Sequence, residues 1–156
     1  MSPSIVEVAV PTLASAQLFR RVFGQNIPNF PRHFELQTAD AATIGYIHFT
    51  AIDPGVFLLG GLCVNASRYR ACSQAIRARM RREGTWAQQL LRGSIALLGT
   101  TRAVFAYTGH EGSTRDIRGL GFVDTPHRYL FVQWHAAGSE EDRSAVVRRV
   151  HAVGPF

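Results

Sequence analysis

The chain contains no lysine. All 17 of its basic residues are arginine, and against 11 carboxylates they leave a formal charge of +6 over 156 residues. Guanidinium groups stay charged near pH 7 and bind phosphate through a planar fork, so the cationic surface is permanent and suited to phosphate. Cysteine is scarce, limited to Cys63 and Cys72, and Met1-Ser2-Pro3-Ser4 is not a basic segment leading into an apolar one. No leader is read there, so free thiols and a cytoplasmic location are expected instead of a disulfide scaffold. The six histidines (His33, His48, His110, His127, His135, His151) include no pair at helical ligand spacing, and the cysteines have no companions at metal spacing. A metal site is therefore not expected. Long apolar runs are missing too. The longest, Val56–Val64, is interrupted by Gly60-Gly61 and is far too short to span a bilayer, so no membrane partner is expected. With 46% apolar residues and no repeat, linker or low-complexity tract, residues 1–156 read as one domain with a sizeable core.

What the chain has in excess is arginine in one place. Arg68, Arg70, Arg77, Arg79, Arg81 and Arg82 crowd into a short stretch. Such a run reads either as a solvated helix face or as a polyphosphate or nucleic-acid contact. RNA binding calls for exposed aromatics among the arginines; only Tyr69 and Trp86 qualify, and Trp86 is expected to pack inward. The run ends at Arg81-Arg82-Glu83-Gly84-Thr85-Trp86, where an amphipathic helix begins. Trp86, Leu90, Leu91, Ile95, Leu97 and Leu98 recur at helical spacing, and Gly99 follows as a stop. The first turn of a helix has unpaired amides and a positive dipole end, and Gly84 lets a ligand approach the main chain. This is equipment for a phosphate or pyrophosphate.

Elsewhere the pattern alternates strands and helices. Ser4–Val10 alternates as a strand, and Pro11-Thr12 opens a helix with Leu18, Phe19, Val22 and Phe23 on one face and Gly24 at its end. Gln25–Arg32, with Pro28 and Pro31, reads as a loop able to cover a cleft. His33–Thr38 and Thr43–Thr50 read as strands about an Ala39-Asp40-Ala41 turn, and Asp53-Pro54-Gly55 turns into Val56–Val64. That continuous apolar run suits a central strand buried on both faces, and Gly60-Gly61 within it marks a bulge or a close approach. Asn65–Arg81 reads as one basic helix with Tyr69, Cys72, Ile76 and Met80 on its apolar side. Ala103–Tyr107 and Tyr129–Trp134 read as strands around a short helix ending Gly119-Leu120-Gly121-Phe122. Ser139 starts a last short helix and His151–Phe156 returns as a closing strand.

Arg82-Glu83-Gly84-Thr85-Trp86-Ala87, the Leu90-Leu91 pair, the interval to Gly121-Phe122 and the strands on either side resemble the C-terminal half of the GNAT acyltransferase superfamily. In that family a helix opening on Arg/Gln-x-x-Gly-x-Gly/Ala grips the pyrophosphate of acetyl-CoA. Thr85 stands at the first family glycine, and Gly84 sits one place early. A competing register, Arg70-Ala71-Cys72-Ser73-Gln74-Ala75, places Ser73 there, but only the later one gives the family's interval to Gly121-Phe122.

The resemblance implies an α/β (α+β) fold, a mixed, mostly antiparallel sheet of six or seven strands splayed at its centre and flanked by helices. It implies acetyl-CoA as co-substrate and transfer of the acetyl group to an amine on a small molecule or peptide. Arg82, Gly84, Thr85, Trp86, Ala87 and Gln88 would hold the phosphates, and main-chain groups of Leu62, Cys63 and Val64 would meet the pantetheine arm. The family's acid, a tyrosine four residues before the glycine of the Gly-Phe pair, falls on Ile117 here, and its usual asparagine falls on His110. Tyr107 and His110 are the substitute acids, each with an ordinary alternative as a strand aromatic and a loop residue. Glu35 and His48 are further candidates for base. Cys63 lacks an activating base in sequence and reads as a buried thiol. Tyr129, Trp134 and His135 would border the acceptor pocket, with core packing the plainer role for Trp134. A catalytically silent CoA-binding module, an RNA-directed protein and a homodimer all stay open.

Overall fold

The computed structural model describes residues 3–38 and 40–155. Met1 and Ser2, Ala39 of the expected turn, and Phe156 of the expected closing strand lie outside the described residues. The elements run β1 (Ser4–Val8), α1 (Leu13–Phe23), β2 (Arg32–Gln37), β3 (Thr43–Asp53), β4 (Val56–Val64), α2 (Ala66–Ala71), α3 (Gln74–Glu83) and α4 (Trp86–Leu97). They continue with β5 (Ala103–Tyr107), α5 (Glu111–Gly119), β6 (Val123–Asp124), β7 (Leu130–Trp134) and α6 (Glu140–Val153). The seven strands form one sheet in the order β1-β2-β3-β4-β5-β7-β6. The pairs β1–β2, β5–β7 and β6–β7 are antiparallel, whereas β4 and β5 are parallel, Val56–Leu59 lying against Ala103–Ala106 while β4 continues to Val64. The fold class expected from sequence is therefore the one observed.

The chain divides into two compact units, Met1–His48 with Gly61–Leu97, and Phe49–Gly60 with Leu98–Phe156. In the first, Thr12 caps α1 by accepting the Ser15 amide, and Gly24 closes it at φ 72° with its N–H on the Arg20 carbonyl. Leu18 and Phe19 pack with Tyr46 and Cys63, the Phe19 ring edge-on to Tyr46 at 5.7 Å. Helix α4 lies on β1 and β2, and at Gly93 the space a Cβ would need is filled by the Ile5 side chain. In the second unit, Val146, Val147 and Val150 of α6 cover Val56, Leu58, Phe105 and Val132 of the sheet. Trp134 stands edge-on to Phe105 at 5.8 Å.

Four expectations are corrected. The first strand ends at Val8, not Val10, and the third runs to Asp53, past Thr50. The basic segment is two helices, because Cys72 is extended at φ −66°, ψ 146° and the Ser73 hydroxyl takes the Ile76 amide to start α3 afresh. The last helix is 14 residues long and absorbs His151–Val153, so no closing strand forms over the described residues. Val146, Val147 and Val150 bury the helix against the sheet, and the same helix carries on through His151–Val153. The two-residue β6 has no counterpart in the sequence reading.

Candidate functional site

The phosphate-type turn is built from two helices almost in contact. Helix α3 ends at Glu83 and α4 starts at Trp86, with Gly84 between them at φ 95°. A Cβ there would be strained and would lie 2.7 Å from Gln88 Oε1. Thr85 and Gln88 cap each other: the Gln88 amide donates to Thr85 Oγ1 at 3.1 Å, and the Thr85 amide donates to Gln88 Oε1 at 3.1 Å. This capping box satisfies two of the orphan amides of the first turn. Among the described residues, none accepts from the amides of Trp86 and Ala87. The turn thus presents a positive helix end with donors to spare.

Trp86 itself is buried, 4% exposed, with its ring edge-on to Tyr69, so one of the two aromatics that RNA stacking could have used points into the core. Arg82 is exposed at the end of α3. Beside the turn is a cleft of about 310 Å³, lined by Arg68, Ser73, Ile76, Arg79 and Trp86 together with Asp40. Helices α2 and α3 therefore form a basic wall next to the start of α4. Most of the arginines on them are solvent-exposed.

Leu62 and Val64 are half-buried in β4, while Cys63 is buried at 4% exposure. Burial pushes the Cys63 thiol up to about 12, which leaves it protonated and inert as a nucleophile. Gly61 has φ 59°, and the place of its missing Cβ is occupied by the Phe19 ring with His48 Cε1 at 3.0 Å. The close approach that the glycine pair signalled is thus made, on this face, by a side chain of the same unit.

The base candidates are both buried. Glu35 Oε1 accepts from the Thr12 amide and hydroxyl at 2.8 Å each and from the Ser15 hydroxyl at 2.6 Å, and Oε2 accepts from Gln37 at 2.9 Å. Burial alone would raise its pKa, but these donors outweigh burial and hold the carboxyl below its ordinary value. Glu35 is an ionised anchor for the N-terminus of α1. His48 is pushed down to about 4, first by burial and then by the neighbouring His33. Its Nδ1 lies 3.2 Å from the Tyr46 hydroxyl, which lies 2.8 Å from His33 Nδ1.

In the second unit, Tyr107 ends β5 half-buried, and burial raises its phenol pKa. Its hydroxyl lies 3.0 Å from His151 Nδ1 on α6, a partner that no sequence pattern flagged. His110 is exposed and caps α5, its Nδ1 accepting the Ser113 amide at 3.3 Å. Ile117, at the family's acid position, is 3% exposed on α5. Tyr129 is exposed at φ 68°, its carbonyl accepting the Thr108 amide and its ring lying over Gly109. His135 is held by Gln133 at 2.9 Å and its pKa is lowered by burial. Among the described residues, no group of three or more metal-ligating side chains comes together.

No protein-family model matches the chain, and no curated protein does. Solved structures do. A GNAT family acetyltransferase from Elizabethkingia anophelis with acetyl-CoA bound is 13% identical, over 86% of this chain and 99% of its own, with a TM-score of 0.63. Ard1 from Thermoplasma volcanium is 12% identical over 88% of this chain and 100% of its own, at 0.58. Tetrahymena GCN5 is 12% identical over 82% and 88%, at 0.56. The chain has the GNAT acetyltransferase fold.

Proposed function

We propose that this chain is an acyl-CoA-dependent N-acyltransferase that moves an acetyl group from acetyl-CoA directly to an amine of a small molecule or peptide. The observation that carries the reading is the fold, whose similar structures include one with acetyl-CoA bound. The turn at Gly84–Gln88 adds to it, because a pyrophosphate would take the Trp86 and Ala87 amides and compete with the Gln88 side chain for the Thr85 amide. Arg68 and Arg79, beside the cleft of about 310 Å³, would supply charge for the 3′-phosphate, and the main chain of Leu62–Val64 would pair with the pantetheine arm.

The chemistry asks little of the protein. The amine must be neutral, the thioester carbonyl polarised, and the departing thiolate protonated. With the acid position filled by Ile117, the proton would come from Tyr107 or His110. The buried Ile117 also favours a second reading, a silent CoA-binding module of the same fold.

Coenzyme A should raise the melting temperature by mass action, and dephospho-CoA should do so less. Thr85→Asp keeps a good helix cap and places a negative charge where the pyrophosphate would lie. It should weaken CoA binding by about tenfold or more, equivalent to about 1.4 kcal/mol, whereas Ser73→Asp, in the cleft beside Arg68 and Arg79, should weaken it less. The opposite pattern would move the phosphate site to the start of α3. No shift of the wild type at millimolar CoA would end the acyltransferase reading. Thiol release from acetyl-CoA over a panel of amines separates enzyme from silent module.

A further inference from the structure

Three side chains from three separate elements meet at the end of β5. Tyr107 comes from the strand, His151 from the last turn of α6, and His127 from the loop before β7. The Tyr107 hydroxyl and His151 Nδ1 are 3.0 Å apart, and the imidazoles of His151 and His127 stack at 3.6 Å with 10° between their planes. The loop carrying His127 is itself fixed. The His127 amide donates to Thr125 Oγ1, its carbonyl accepts the Leu130 amide, and the carbonyl of the left-handed Tyr129 takes the Thr108 amide next to Tyr107. Core packing accounts for the Tyr107 ring, which lies against the apolar cluster of the sheet and α6, but not for its hydroxyl or for the exposed His151, since hydrophobic burial would favour Phe at position 107 over a phenol needing a partner.

On the reading of this chain as an acyltransferase with Tyr107 as its acid, we propose that His151 is a positioning residue that donates Nδ1–H to the Tyr107 oxygen, with His127 fixing the plane of its ring. A phenol has one proton. If it pointed at His151 it would face away from any thiolate; with His151 as the donor, that proton is free to be delivered elsewhere. In the transfer step the amine nitrogen bonds the acetyl carbon as the C–S bond breaks, the amine releases one proton to water, and the Tyr107 O–H bond breaks as an S–H bond forms on the leaving coenzyme A. The phenolate left behind keeps the His151 N–H as a charge-assisted hydrogen bond. It then takes the Nδ1 proton as water protonates Nε2 on the exposed side of the ring. One solvent proton has then reached the thiol, and ring exchange with water restores the starting tautomer.

The test uses thiol release from acetyl-CoA in the presence of a polyamine, an aminosugar and a lysine-bearing peptide. His151→Phe keeps a flat ring against His127 but has no donor, and should lower kcat by about tenfold with KM for acetyl-CoA and the CoA-induced thermal shift unchanged. His151→Asn restores an N–H at the Nδ1 position and should recover most of the loss. In a Tyr107→Phe background, His151→Phe should cost nothing further, because the two act as a unit. A readout free of turnover is the phenolate absorbance that Tyr107→Phe removes, which should titrate at higher pH in His151→Phe and near the wild-type value in His151→Asn. Equal losses in both backgrounds, or an unmoved phenolate titration, overturn the role of His151 and leave the acyltransferase reading standing. Wild-type protein without a CoA thermal shift overturns both.

Discussion

Tyr107 and His110 leave the same strand end but are held by different things, and the difference separates their expected phenotypes. The imidazole of His110 is engaged by the Ser113 amide as the cap of α5, whereas the Tyr107 hydroxyl meets His151. Tyr107→Phe should therefore lower kcat by about 10²–10⁴-fold with CoA affinity unchanged. His110→Asn substitutes one good cap for another and should preserve both turnover and melting temperature. A fall in kcat for His110→Asn alone, measured by thiol release, would make His110 the acid. The cysteines offer a second contrast at this scale. Cys63 is buried with its thiol pushed up to about 12, while Cys72 is half-buried between α2 and α3. Iodoacetamide at pH 8 should label Cys72 in the native protein and reach Cys63 only on unfolding, as peptide mass mapping would show.

Helix α1 is tethered through Glu35, whose carboxylate gathers the Thr12 amide and the hydroxyls of Thr12 and Ser15 at the positive end of the helix. Glu35→Gln keeps the size and removes the charge. It should cost about 2–3 kcal/mol in denaturant unfolding, the scale of hydrogen bonds to a charged acceptor. An unchanged midpoint would mean that the tether is solvated in solution. The existence of these helices was legible from apolar spacing, and their ends were legible wherever a glycine stops them, as Gly24 and Gly99 do. Two boundaries were not. The break at Cys72–Ser73 rests on a single serine cap inside a run whose apolar residues keep helical spacing straight through it. At the C-terminus, His151-Ala152-Val153 reads as the start of a strand, but the helix that buries Val146, Val147 and Val150 continues through them to Gly154, whose N–H meets the Val150 and His151 carbonyls. The start of α4 after Gly84 was readable because its signals are local. The Tyr107–His151 contact spans 44 residues, and no local pattern encodes a pair that far apart.

For the molecule as a whole, the buried pair His33 and His48 sets a limit on the acid side. Both imidazoles are pushed below their ordinary range by burial, His48 to about 4. Such a group binds protons more readily unfolded, so its contribution is complete above about pH 6.5 and is lost as the pH falls toward 4. For His48 the loss is on the order of a few kcal/mol. Glu35, held below its ordinary value, adds a further loss beneath about pH 4.5. Melting temperature should be level from pH 7 to 9 and fall between 6.5 and 4, and His48→Gln should flatten that fall. A wild-type profile level down to pH 5 would show that the histidines titrate normally.

The meeting of Phe19 with the bare face of Gly61 carries a consequence for descent. A methyl group at 61 would enter the Phe19 ring and would sit on a backbone at φ 59° that side chains resist. Neither position can drift alone: a homologue with a side chain at 61 must have a smaller residue at 19 and a straightened strand. The two sites should therefore change together or not at all when relatives of this chain are gathered. In the laboratory, Gly61→Ala should be rescued in part by Phe19→Leu, and by no substitution remote from that pair.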